Sequence, residues 1–192
     1  MESLQKNDGA DAGAAAPGAV SPKAPLVARI VLAIAAAALV AAFFLPWGSA
    51  GEEYREAAMS APSDLMFYEP AGLTVEGATD LSLLEYAQVY GSMGDGGWGL
   101  LAAIIYAALV FSALALLLAA LGKPIGTAVF GILCFAVTRF LVWDFNDRGV
   151  LPNGTHEWGV SPGVYLAATA VLIVAAVVLW VSKRRRKNAA SA

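Results

Sequence analysis

Cysteine and histidine occur once each, as Cys134 and His156, in a chain of 192 residues. A disulfide framework is thereby excluded, and so is a metal centre built from several His and Cys ligands. His156 lies between apolar segments, which excludes a Ser-His or Cys-His catalytic pair inside one of them. Charge is scarce as well: Asp, Glu, Lys and Arg make up 14% of the chain, against about 25% in an ordinary soluble domain. No phosphate-loop spacing precedes Lys123. What is abundant is apolar side chain, at 59% of residues. That composition excludes disorder of the whole chain and exceeds what a soluble fold can cover. A small integral membrane protein remains.

A spanning helix needs about 20 mostly apolar residues. The stretches 26–47, 98–121, 125–143 and 164–181 meet that requirement, and none alternates with the period of two that a membrane β-barrel demands. Nine of the twelve Lys and Arg residues fall on one side if the N-terminus is cytoplasmic, leaving Arg55 and Arg148 outside and Arg139 within the third stretch. The excess of basic residues places both termini in the cytoplasm. The expected fold class is an all-α membrane protein. It is an antiparallel bundle of four transmembrane helices with a small extracytoplasmic cap, made of a β-hairpin and a short helix. Arg29, the Ala-rich run and Gly48-Ser49-Ala50 also fit a signal peptide with its cleavage site; the 29-residue leader and the Pro46-Trp47 ending favour an uncleaved first helix.

The segments between the spans differ in character. Residues 1–25 are rich in Ala, Gly, Pro and Asp and read as a disordered cytoplasmic tail. Residues 48–97 form the cap. Within them Leu65–Tyr68 and Leu73–Val75 read as strands joined by a type I turn at Glu69-Pro70-Ala71-Gly72. Ser82 and Glu85 have capping-box spacing, with Asp80 as a competing cap, and Leu83, Leu84, Ala87 and Tyr90 would share one helix face. Residues 91–99, rich in glycine, read as a flexible return. Residues 122–124 make a tight cytoplasmic turn, 144–163 a second outer loop, and 182–192 a basic cytoplasmic tail. Small residues four apart would let the helices approach closely: Ala33, Ala37 and Ala41, then Ala103 with Ala107, Ala108 with Ser112, Ala115 with Ala119, and Thr127 with Gly131.

Two groups of residues are candidates for function. The first is the stretch around the end of the third span: Arg139, Trp143, Asp144, Asp147, Arg148 and, further on, Trp158. Arg139 is the ionisable residue within a span and sits about 6 Å below the outer interface, four residues before Trp143. It is expected to pair with Asp144, Asp147 or an acid of the first loop and to organise the outer face, so that Arg139→Ala lowers stability. Trp158, with Tyr165, reads as part of an interfacial aromatic belt. The second group is the run Lys183, Arg184, Arg185, Arg186 and Lys187, a topology signal and an anchor for anionic lipid at the cytoplasmic face.

The exit of the first span, Phe44-Leu45-Pro46-Trp47, the long first loop and the short inner turn resemble the claudin and peripheral-myelin-protein type of tetraspan protein. That resemblance implies a small sheet with a short helix over the bundle. The loop lacks the cysteine pair of the claudin signature, so barrier or pore function is not implied. The same exit and the Ala-rich helices look more like small four-span proteins of high-GC bacteria, actinobacteria above all, which implies a plasma-membrane location and no assigned activity.

The expected function is accordingly non-enzymatic. The chain would be an accessory or scaffold protein, with a membrane-protein partner or further copies of itself contacting the outer cap and the Arg139–Arg148 region. No cofactor, metal or nucleic acid is expected. The alternative is a small channel or transporter formed by oligomerisation, with an acidic outer vestibule. A membrane enzyme is the weakest reading, with Asp144, Asp147, His156 and Glu157 as its candidate groups.

Overall fold

The Ala-rich start of the chain forms α1, Ala24–Ala42, and is stopped by Pro46. A proline forces the residue before it out of helical geometry, and the helix tightens before it ends. Phe43, Phe44 and Leu45 donate to the carbonyls three residues back, at 3.2, 3.0 and 3.3 Å. The computed structural model that shows this describes residues 24–94 and 96–189. The tail expected at residues 1–25 lies outside the described residues except for its last two.

The first apolar stretch therefore differs from its expected bounds. Pro46–Ala50 is a strand, β1, rather than the end of a span, and Trp47 is fully buried instead of lying at an interface. Next come α2 (Glu52–Ser60), β2 (Met66–Tyr68), β3 (Leu73–Thr74), β4 (Asp80–Ser82) and α3 (Leu83–Ser92). The long helices follow: α4 (Trp98–Ala120), α5 (Pro124–Asp147) and, after β5 (His156–Trp158), α6 (Ser161–Ala189).

The chain is thus mainly helical, with a small sheet. Three helices are long and apolar enough to cross a membrane: Trp98–Ala120, Pro124–Asp147 and Ser161–Arg185. The apolar run of α1, Leu26–Ala42, is shorter, because Pro46 diverts the chain into the sheet.

Four helices close into a ring: α1 packs on α4 and α6, α4 on α5, and α5 on α6. The seam follows a seven-residue repeat. Along α4 the buried positions are Ala102, Ile105, Ala108, Ser112, Ala115 and Ala119; along α5 they are Thr127, Gly131, Cys134, Thr138, Leu141 and Phe145. Steps of three and four residues keep a straight seam along a left-handed crossing. Gly131 lets Leu172 of α6 approach, since a β-carbon there would stand 3.0 Å from its Cδ2. On α1 the buried face is Ala28, Leu32, Ala35, Ala36, Leu39 and Ala42. The expected stripe was a different one: Ala37 and Ala41 face outward, as does Ala103 on α4. Alanine occupies every face of α1, so its spacing does not select one.

Over one end of the ring sits the cap. β1 is the central strand of an antiparallel sheet in the order β4-β1-β5, pairing Ser49 with Asp80 on one side and with Glu157 on the other. The ladder to β5 runs on through Gly159, whose N–H donates to the Trp47 carbonyl at 2.8 Å. Only glycine fits there: a β-carbon would lie 2.2 Å from the Pro46 carbonyl oxygen. The hairpin β2-β3 turns through Glu69–Ala71, with Gly72 in the left-handed region at φ 66. In α3, Ser82 and Glu85 form the capping box, and the buried face is Leu83, Tyr86, Ala87 and Tyr90. Asp80 does not cap α3 but lies in β4.

Candidate functional site

The cap is held to the bundle by aromatic rings. Trp47, at the start of β1, meets Phe145 of α5, Trp158 of β5 and Tyr165 of α6 edge-on, with centroids 6.2, 6.1 and 6.2 Å apart. Such T-shaped pairs add about 0.5–1.5 kcal/mol each beyond the area they bury. The indole N–H of Trp47 and the hydroxyl of Tyr165 have no hydrogen-bond partner among the described residues, so packing holds this node. The aromatic belt expected of Trp158 and Tyr165 is instead part of this cluster: β5 pairs with β1 and brings the half-buried Trp158 against Trp47, and Tyr165 is buried on the inner face of α6.

Phe145 passes the contact on to α3. It meets Tyr86 at 4.9 Å and Tyr90 at 6.1 Å, and Tyr90 stacks on Trp98 at 5.6 Å with the planes 8° apart. Over these rings lies Arg148. Its guanidinium carbon is 5.2 Å from the Tyr90 centroid, 5.8 Å from Trp98 and 5.6 Å from Phe145. Asp144, one helical turn earlier, accepts from Arg148 Nε at 3.0 Å and also from Nη2. The pair borders an open groove at the cap end, lined by Gly96, Gly97, Trp98, Leu101 and Ile104. Burial raises the hydroxyl pKa of Tyr86 and Tyr90 above the usual phenol value, so neither supplies a phenolate at neutral pH.

Arg139 was expected to pair with Asp144, Asp147 or an acid of the first loop, and that expectation is corrected. Arg139 is exposed on the outside of the ring and has no ion-pair partner among the described residues. The reason is helical geometry. Residues five apart on a helix point roughly 140° away from each other, whereas Asp144 and Arg148, four apart, share a face. Trp143 is 60% exposed and rests on Phe140, 5.8 Å between centroids. It points outward like Arg139. Asp147 is exposed as well. The candidate stretch therefore divides: Asp144 and Arg148 join Trp158 through Phe145 and Trp47, while Arg139 and Trp143 form an outward strip.

A second ion pair carries the sheet. Arg55 of α2 grips Asp80 of β4 with both terminal nitrogens, at 2.8 and 2.6 Å, and its Nε donates to the Ala50 carbonyl at 3.0 Å. The Arg55 hydrogen bonds hold the Asp80 carboxyl below its usual range, with Ser49 and the charges of Arg55 and His156 adding to the effect against partial burial. Sequence reading passed over this pair, although Arg55 is the one cation in residues 48–97.

His156 is buried in β5 and serves as a tie. Its Nε2 lies 2.8 Å from the Ala78 carbonyl and its Nδ1 2.8 Å from the Thr155 hydroxyl, with the Tyr54 ring 5.0 Å away. A carbonyl can only accept, so Nε2 is the donor. Among the described residues, no three His, Cys, Asp or Glu side chains come together to hold a metal ion.

The cap also bears an exposed apolar edge. Successive residues of a strand point to opposite faces, yet both Met66 and Phe67 of β2 are exposed, at 41% and 53%. Neither face of the hairpin at that point is covered. Leu65, next to β2 in the chain, extends the edge, which is flanked in sequence by Asp64 and Glu69.

In comparisons with known proteins, no family model, no curated protein and no solved structure matches this chain.

Proposed function

We propose that the chain is a plasma-membrane protein that crosses the bilayer four times, with both termini cytoplasmic and the cap outside. It would work without catalysis, as an accessory or scaffold subunit that docks a membrane-embedded partner on its cap. The fourth crossing is α1. Its 19 residues rise about 28 Å, near the thickness of the hydrocarbon core. Leu26, Val27, Ile30 and Ile34 leave its outer face apolar and more than half exposed, which hydrocarbon accommodates and water does not. The distribution of Lys and Arg supports the orientation.

The uncovered hairpin edge is the observation that carries the docking role. A two-stranded hairpin with apolar side chains bare on both faces is marginal in water, and an apolar patch with a polar rim is the pattern of a protein contact. The flanking Asp64 and Glu69 favour a partner whose apolar patch is bordered by cations. The test is purification of tagged full-length protein from native membranes in mild detergent, followed by mass spectrometry. A co-purifying membrane protein that is lost from a Met66→Ser/Phe67→Ser variant is the expected outcome. A lone monomer from both preparations would count against docking. The oligomeric channel is the weaker reading, because the ring interior is filled by Leu, Ala and Ile side chains with isolated hydroxyls such as Ser112, Thr127 and Thr138. Cation flux in proteoliposomes would reverse that ranking.

A further inference from the structure

At the end of the bundle remote from the cap, cations from three elements meet at the turn between α4 and α5. Lys183 of α6 donates its ammonium to the Gly122 carbonyl at 2.8 Å. Arg29 of α1 lies against the same residue: a β-carbon on Gly122 would stand 2.5 Å from its Nη2. Lys123 follows in the chain and is exposed. Arg184 folds back over the Trp180 ring, its guanidinium carbon 5.3 Å from the centroid.

The turn that gathers these charges is tightly specified. Gly122 adopts φ 66, its N–H donates to the Ala119 carbonyl at 2.9 Å, and the Lys123 N–H donates to the Leu118 carbonyl at 2.9 Å. This paired pattern is the Schellman ending of a helix, which requires a left-handed residue. Glycine serves twice here, by taking that conformation and by leaving room for the Arg29 guanidinium.

The negative end of the α4 dipole accounts for one neighbouring cation, but it does not balance four. Among the described residues no Asp or Glu occurs in α1, α4, the turn or α6, and those of α5 stand at the cap end. Among the described residues this cluster has no counter-charge of its own, and a bound anion would supply one. Guanidinium and ammonium groups side by side suit the several acceptor oxygens of a phosphate, and Trp180 beside Arg184 is the residue pair that settles at headgroup level. The geometry points to a binding site for the phosphate of an anionic phospholipid, held by Arg29, Lys123, Lys183 and Arg184 between α1, the turn and α6. The site rests on the membrane-crossing reading above and deepens it. The run Lys183–Lys187 alone would be a diffuse anchor, whereas this site uses residues from three separate elements and fixes where the headgroup sits.

The test uses full-length protein reconstituted in phosphatidylcholine bilayers with phosphatidylglycerol titrated in, and counts retained lipid by native mass spectrometry. The wild type should retain phosphatidylglycerol over phosphatidylcholine. Arg29→Gln/Lys183→Gln should weaken retention by about 25-fold, roughly fivefold per charge removed. Arg185→Gln/Arg186→Gln/Lys187→Gln, which removes charges that the site does not use and that salt screens, should change it by less than about threefold. Lys123→Gln, an exposed change, should cost about fivefold and keeps the test decisive if the double variant does not fold. Equal losses in the distal triple variant and the site variants would reduce the site to diffuse attraction and overturn it. Displacement of the lipid by millimolar inorganic phosphate would make it a free-anion site and overturn it equally. Failure of the wild type to enter even pure phosphatidylcholine bilayers is a separate result, which removes the membrane reading and the site with it.

Discussion

The hydroxyl of Ser161 donates to the carbonyl of Ala42 at 2.6 Å, tying the first residue of α6 to the last residue of α1 across 119 positions of sequence. Both groups are buried. The last carbonyls of a helix lack partners within it, and here a side chain from a distant helix supplies one. Ser161→Ala removes that bond and leaves the Ala42 carbonyl with only the longer contact from the Leu45 N–H at 3.3 Å, which costs about 0.5–1.5 kcal/mol. A lowered thermal midpoint in detergent is the expected readout, with secondary structure unchanged below the transition.

Gly159 offers a sharper test of the sheet. A β-carbon there meets the Pro46 carbonyl oxygen at 2.2 Å, while one at Gly154, two residues before β5 begins, meets nothing within 4 Å. Gly159→Ala should destabilise the protein by about 3 kcal/mol through backbone displacement. Gly154→Ala should stay within about 0.5 kcal/mol of wild type. Denaturant titration of the two variants in one detergent compares them directly.

Arg148 and Arg139 stand nine residues apart on opposite sides of α5 and should respond differently to removal. Arg148→Ala loses a cation stacked on three rings, about 0.5–2 kcal/mol, and Arg148→Lys should recover little of it because the planar fork is what stacks. Arg139→Ala should leave stability within about 0.5 kcal/mol. A large loss at Arg139 with none at Arg148 would contradict the geometry.

The Arg55–Asp80 pair gives the cap a pH dependence of known sign. Folding lowers the Asp80 pKa from its ordinary 3.8. The stability this adds is fully present above that value and is lost as pH falls through the lower folded value. Both side chains are more than a third exposed, at 39% and 38%, so the effect is modest. Asp80→Asn should be less stable than wild type at pH 7, and the difference should shrink below about pH 3.8, the ordinary value. Thermal midpoints between pH 7 and pH 3 measure it.

The helices and the capping box could be read from the chain because each is a local pattern. Apolar runs of sufficient length mark α4, α5 and α6, and Ser82 with Glu85 marks the start of α3 through contacts only three residues apart. The sheet was hidden for the opposite reason. Its strands are three to five residues long and draw their partners from positions near 48, 81 and 157, so no local period announces them. Trp47 and Trp158 look alike as interfacial anchors until β5 turns them toward each other. At the candidate site, Asp144 with Arg148 was legible from their spacing of four residues, and preferring Arg139 ignored that spacing. Arg29 and Lys183 carry no sequence sign of their meeting, because Gly122 brings them together only once the ring has closed.

The central strand also sets an order of events during synthesis. β4 can pair with one edge of β1 when little more than the first loop has left the ribosome, but β5 is encoded after α4 and α5. Until His156–Trp158 emerges, the second edge of β1 is open and the hollow around Trp47 lacks two of its three aromatic walls, Trp158 and Tyr165, even once Phe145 has arrived. The two middle helices must therefore be made before the cap can shut, and a nascent chain halted within α5 would present a bare strand edge to whatever chaperone or neighbouring chain reaches it first.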